Sequence, residues 1–204
     1  SILLTITVRY QTVGRGRTGA LEISCARIAQ QISSGDIQTI EDIKRSFLSI
    51  YPSDQDFRNN FLQYSESTKK RARFMLCMIE ATRHNQCMDD QVNFVARMLT
   101  GADTPNVLTI TPSENSLGTT SGSVATEKEL LDANVHKIGN KVLVDGPDRV
   151  VKDTRFCNIK DIAHNSGFFT TAMLNDYEKW DWESLNERQE TLAVWAMNVW
   201  SLEV

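Results

Sequence analysis

His136, Asn140 and Asp145 lie close together in the chain, and their types could do chemistry on a phosphodiester. An imidazole titrates near neutral pH and can take a proton from water. A carboxylate nearby can help hold a divalent cation, which neutralises a phosphate and stabilises the leaving oxygen. In that scheme His136 is both base and metal ligand, Asn140 orients it, and Asp145 is the second ligand. Mg²⁺ or another divalent metal would be needed if the site is active, and no cofactor otherwise. Lys137, Lys141, Arg149, Lys152 and Lys160 surround the same stretch, and cations so placed suit a nucleic-acid backbone. Each residue also has a plainer role open to it. His136 can be a hydrogen-bonded side chain at a strand edge, and Asn140 can follow Gly139 through a turn or bulge. Asp145-Gly146-Pro147-Asp148 is a turn by composition. His84 and His164 have no partner in sequence and read as surface or core residues.

The elements that must position these groups follow from periodicity. His136 stands just before a strand that begins near Ile138. A short helix over 127–134 precedes it. Asp181 can cap a last helix that runs to about Ser201, with Glu183 in its first turn. Trp182, Leu185, Gln189, Leu192, Ala196 and Val199 recur there at spacings of three and four, with Trp195 and Trp200 beside them. That stripe predicts a core-packing helix, a clamp joining a helical half to a small β-containing unit.

The N-terminal half reads as helical. Over 18–34, Leu21, Ser24, Cys25, Ile28 and Ile32 share a face, with Thr18 as the cap and Gly35 as the stop. Ile40, Ile43, Phe47 and Leu48 mark a second helix, expected to bury them. Pro52-Ser53 restarts the chain before Phe57, Phe61 and Leu62. The strongest pattern runs from Lys69 to about Thr82, where Ala72, Met75, Leu76 and Ile79 form one stripe. Lys69, Lys70 and Arg71 stand at its N-terminus, the unfavourable end of the helix dipole for cations. An acidic neighbour or a bound phosphate would offset that cost. A shorter pattern spans 91–99. After Gly101 the composition turns to Ser, Thr and Gly, and 101–126 reads as a loop. The expected partition is therefore a helical region over 1–100, that loop, and a unit over 127–204.

The formal charge of −4 excludes a broad basic field for coating nucleic acid, but leaves room for a local basic groove. No apolar run reaches membrane-spanning length, and Ile2 to Val8 is too short for the apolar part of a signal sequence. The chain begins at Ser1 without Met, as a processed chain or an excised piece of a longer one does. Cys25, Cys77, Cys87 and Cys157 lack metal-binding spacing, and the chain reads as cytoplasmic and reduced. No Gly-rich phosphate loop occurs, and Gly14-Arg15-Gly16-Arg17 is not one.

Ile138-Gly139-Asn140-Lys141-Val142-Leu143, the Phe156 to Lys160 spacing, and Tyr177, Trp180, Trp182, Arg188-Gln189 and Trp200 occur in a telling order. Phe57, Phe61 and the run from Lys70 through Leu76 to Glu80 precede them. This order resembles the C-terminal HNH-nuclease-like domain of GmrSD-type, modification-dependent restriction proteins, over most of the 204 residues. The resemblance implies an α+β, mostly helical fold: an N-terminal helical bundle packed on a small HNH-like ββα unit with a long C-terminal helix. It implies DNA as partner, together with a nucleotide-hydrolysing N-terminal domain in the same parent protein or a partner subunit, and no membrane. Three positions depart from the family pattern. A Glu-His-Ile-x-Pro segment should end the first strand, and matching Ile110 and Pro112 to it puts Leu108 and Thr109 where Glu and the catalytic His belong. The Asn of the following loop is also replaced, by Asp145, Asp148 or Arg149.

The reading is thus a DNA-defence domain with an HNH-like fold and weak or no nuclease activity, contacting DNA or regulating its partner domain. Two alternatives stay open: an active metal-dependent nickase using His136 and Asp145, and a helical interaction module that never touches DNA.

Overall fold

The structure is a computed structural model, and it describes residues 2–83, 88–101, 104–111, 129, 132–146 and 151–202. The chain is α+β and mostly helical, with one two-stranded antiparallel sheet and a long C-terminal helix. It divides into two compact units, Ser1–Tyr64 with Ala193–Val204, and Ser65–Leu192.

In the first unit, α1 (Ile2–Ile6) runs directly into a π-helix over Thr7–Val13. The sequence reading assigned no helix there. α2 (Thr18–Ser34) ends as expected, with Gly35 in the left-handed region at φ 84°. Thr18 is its first helical residue rather than its cap; Arg17 holds the cap position without a side-chain bond. α3 (Ile40–Phe47) opens with a capping box between Thr39 and Asp42. α4 (Asp54–Gln63) opens on Ser53, whose hydroxyl accepts from the Asp56 amide. Ile6, Leu21, Ile28, Ile37 and Phe47 make a core cluster. Two residues expected inside are not, Ile40 at 61% exposed and Leu48; Ile32, on the apolar face of α2, is 47% exposed as well. Each sits at a helix end, where the apolar stripe has turned past the packing face.

Arg9 organises the other end of this unit. It is fully buried inside the π-helix. Its guanidinium donates to the carbonyls of Met197 at 3.1 Å and Trp200, pairs with Asp54 at 2.6 Å, and stacks on Tyr51 and Phe57. Carbonyls at a helix C-terminus lack intrahelical donors, and Arg9 supplies them.

In the second unit, α5 (Lys69–Arg83) and α6 (Met88–Thr100) precede β1 (Asn106–Thr109). β2 (Lys141–Val144) pairs antiparallel with β1, Thr109 opposite Lys141 and Asn106 opposite Val144. α7 (Phe156–His164), α8 (Phe169–Ala172) and α9 (Trp182–Val199) follow. The chain order around the sheet is therefore β, β, α. β1 falls inside the stretch expected to be loop, because four residues of strand are too few to register against the Ser/Thr-rich composition that follows. α5 lies against both strands, which is why residues 65–100 group with the sheet rather than with the first helices. Of the expected helix over 127–134, Glu129, Asp132 and Ala133 are helical, Asn134 is in a turn, and 127, 128, 130 and 131 lie outside the described residues. Leu108, Val142, Val144, Phe156, Ile159, Leu174, Trp180 and Leu185 form the core, with Phe156 stacked on Trp180 at 5.5 Å. Asp181 caps α9 as expected, accepting from the Ser184 amide at 2.9 Å and pairing with Lys179.

Among the described residues, no helix is long and apolar enough to cross a membrane.

Candidate functional site

The strand expected to start near Ile138 begins at Lys141 instead, because Ile138–Asn140 closes into a 3-10 turn. The turn is held by α9. The Gly139 amide donates to Gln189 Oε1, and the Arg188 guanidinium donates to the carbonyls of Gly139, Lys141 at 3.0 Å and Thr170 at 2.7 Å. A Cβ on Gly139 would lie 2.9 Å from Gln189 Oε1 and 3.0 Å from the Leu185 carbonyl oxygen, so only glycine lets the helix come this close. Burial brings the Arg188 pKa down to about 10. Asn140, 3% exposed, spends its amide internally: Nδ2 donates to the Val135 carbonyl at 3.1 Å, and Oδ1 accepts from the Trp180 indole at 2.9 Å.

The candidate phosphate contacts separate into three kinds. Lys137, 4% exposed, lies over the Trp182 ring at 4.8 Å and donates to Asn186 at 3.4 Å. Lys141, 3% exposed, donates to Thr109 Oγ1 at 3.3 Å. Desolvation by burial pulls both ammonium groups below the ordinary lysine pKa; at Lys141 the charge of Glu66 works against that shift and Lys69 adds to it. Lys160 is half-buried, donates to the Tyr177 carbonyl and faces the Phe156 ring. An outward-facing array of Lys137, Lys141 and Lys160 is thus not what the fold presents. Lys152 is exposed. Arg149, with Asp148, lies outside the described residues.

His136 and Asp145 are both exposed; Asp145 directly follows β2, and His136 precedes the 3-10 turn that leads into it. Asp145 lines a surface cavity of about 210 Å³ with Asp161, Asn165 and Ser166. Among the described residues, no three His, Cys, Asp or Glu side chains gather as metal ligands.

Two buried carboxylates escaped the sequence reading. Glu66 accepts from the Thr68 amide at 2.7 Å and pairs with Arg71 at 3.0 Å. It is the acidic neighbour that offsets part of the cost of cations at the start of α5. Its own amide donates to the His136 carbonyl at 2.8 Å, which ties this corner to the turn. Glu80, fully buried, accepts from the amides of Phe169 and Thr170 and so opens α8. Glu66 stood in sequence just before the basic run; Glu80 closed the run that carries the resemblance, but its partners at 169 and 170 lie far along the chain.

The chain matches no protein-family model and no curated protein.

Proposed function

We propose that this chain is the C-terminal domain of a bacterial, cytoplasmic DNA-defence protein of restriction type, whose HNH-like unit has weak or no nuclease activity. Its role is to contact DNA or to regulate a nucleotide-hydrolysing domain, in the same parent protein or in a partner subunit. The observation that carries the reading is Thr109. It closes β1 of a β, β, α arrangement, at the place the resemblance gives to the catalytic histidine, and it bonds the lysine opposite it. A threonine hydroxyl does not accept a proton near neutral pH, and loss of a general base costs a factor of about 100 to 10,000. The internal use of Asn140 supports the same reading against an active nickase. Salt dependence of binding to duplex DNA tests the DNA contact. Affinity that falls steeply with salt supports it, because each phosphate neutralised releases counterions; affinity that is absent or flat contradicts it.

A second reading, a helical interaction module, is favoured by one feature of the first unit. Ile2, Leu3, Ile28, Ile32, Ile43 and Phe47 line an open apolar cleft of about 460 Å³. A partner bound there would hold its affinity at high salt.

A further inference from the structure

α8 is a single helical turn, too short to persist alone, because a first turn fixes several backbone angles for one hydrogen bond. Two fully buried side chains from other elements hold it. Glu80, from α5, accepts from the amides of Phe169 and Thr170, the latter at 2.9 Å. Arg188, from α9, donates to the Thr170 carbonyl at 2.7 Å. An anion thus meets the N-terminal amides of the turn and a cation meets a carbonyl, the arrangement that the helix dipole favours. A side chain of the turn itself reaches β2. The buried Thr171 hydroxyl donates to the Leu143 carbonyl at 2.8 Å and accepts from the Leu143 amide at 3.1 Å, which gives the edge of β2 away from β1 a partner. The Arg188 guanidinium also donates to the carbonyls of Gly139 and Lys141. One continuous path of bonds therefore runs from Glu80 through Thr170 and Arg188 to the turn that carries Asn140. A buried charge that loses a bond carries a large desolvation cost, so neither charge can lose the turn cheaply.

We propose that α8 is an all-or-none clasp, closed jointly by Glu80 and Arg188, through which α5 positions the 138–140 turn and the start of β2. Glu80 and Arg188 are its positioning residues, and each biases the same two-state element. The clasp does not depend on whether the chain contacts DNA.

Amide hydrogen exchange of the full chain, read residue by residue by NMR, tests this, with thermal unfolding measured for each variant. Glu80→Gln should speed exchange at Phe169 and Thr170, which it touches, and also at Leu143 and Gly139, whose amides bond Thr171 and Gln189. Arg188→Met should speed exchange at Phe169 and Thr170, although those amides donate to Glu80. The remote effects should each be at least about fivefold, while the amides of α2 keep their rates. The double variant should be no faster at these four amides than the faster single one, since either change opens the clasp. Acceleration confined to Phe169 and Thr170 in Glu80→Gln overturns the proposal, because Glu80 is then a local cap only. Equal acceleration in both compact units also overturns it, as a general loss of stability. If neither charge variant folds, Thr171→Val, which keeps both charges, decides the matter. It should speed exchange at Phe169 and Thr170, and unchanged rates there overturn the clasp.

Discussion

The Trp180 indole N–H donates to Asn140 Oδ1 at 2.9 Å inside the core of the second unit. An asparagine that looked available for catalysis is thereby fixed as a strut, and its amide also satisfies the Val135 carbonyl. Asn140→Ala leaves a buried indole donor unmatched, which costs about 1–3 kcal/mol. Urea denaturation should show that loss. A midpoint equal to the parent's would mean the hydrogen bond carries no stability.

Gly139→Ala addresses the same corner by volume rather than by hydrogen bonding. The added methyl meets Gln189 and the Leu185 carbonyl at 2.9–3.0 Å, and backbone must shift to relieve it. Overpacking of this kind costs about 1–3 kcal/mol, and the melting temperature should fall. Gln189→Ala made together with it should recover only part, because the Leu185 carbonyl remains.

The buried Lys137 and Lys141 should contribute a rise of stability with pH, set against the fall that the raised Cys77 thiol contributes. Burial depresses the Lys137 and Lys141 pKa values in the native state, so the native chain releases these protons before the unfolded chain does. From the depressed native values up to the ordinary lysine pKa of about 10.4, the unfolded state binds more protons at these two sites, and their contribution to stability rises with pH. Below that window the desolvation cost is present in full. The double variant Lys137→Met, Lys141→Met should show a shallower rise than the parent; identical pH profiles would contradict the burial of these charges.

Thiol chemistry should distinguish the cysteines. Burial pushes the Cys77 thiol up to about 12, whereas Cys157 is exposed on the first turn of α7. Thiolate is the reactive form, and access limits the rest. In a Cys87→Ser background, a disulfide reagent should label Cys157 quickly and Cys77 only on unfolding. Rapid native-state labelling of Cys77 would show that α5 is not held in the core.

What the sequence made legible was local. Gly35 as a helix stop, Asp181 as a cap and the stripes of α5 and α9 depend on neighbours three or four residues away. The features that build the candidate site depend on distant partners. Gly139 stood out by type, but its reason lies in Gln189 and Leu185, some fifty residues on. Arg9 resembles any surface arginine until Met197, Trp200, Asp54 and two rings close around it. Lys137 and Lys141 looked like phosphate contacts because sequence gives charge without burial. Ile32 and Ile40 satisfied the helical period, yet helix ends leave the core before the period does.

The claim at the centre of this account is that Thr109 leaves a nuclease-like scaffold without its base. Incubation of the full chain with supercoiled plasmid and Mg²⁺ or Mn²⁺, beside His136→Ala and a Thr109→His variant, tests it most directly. The account predicts little or no nicking by the parent chain and none that His136→Ala removes. Efficient nicking by the parent, abolished in His136→Ala, would contradict it.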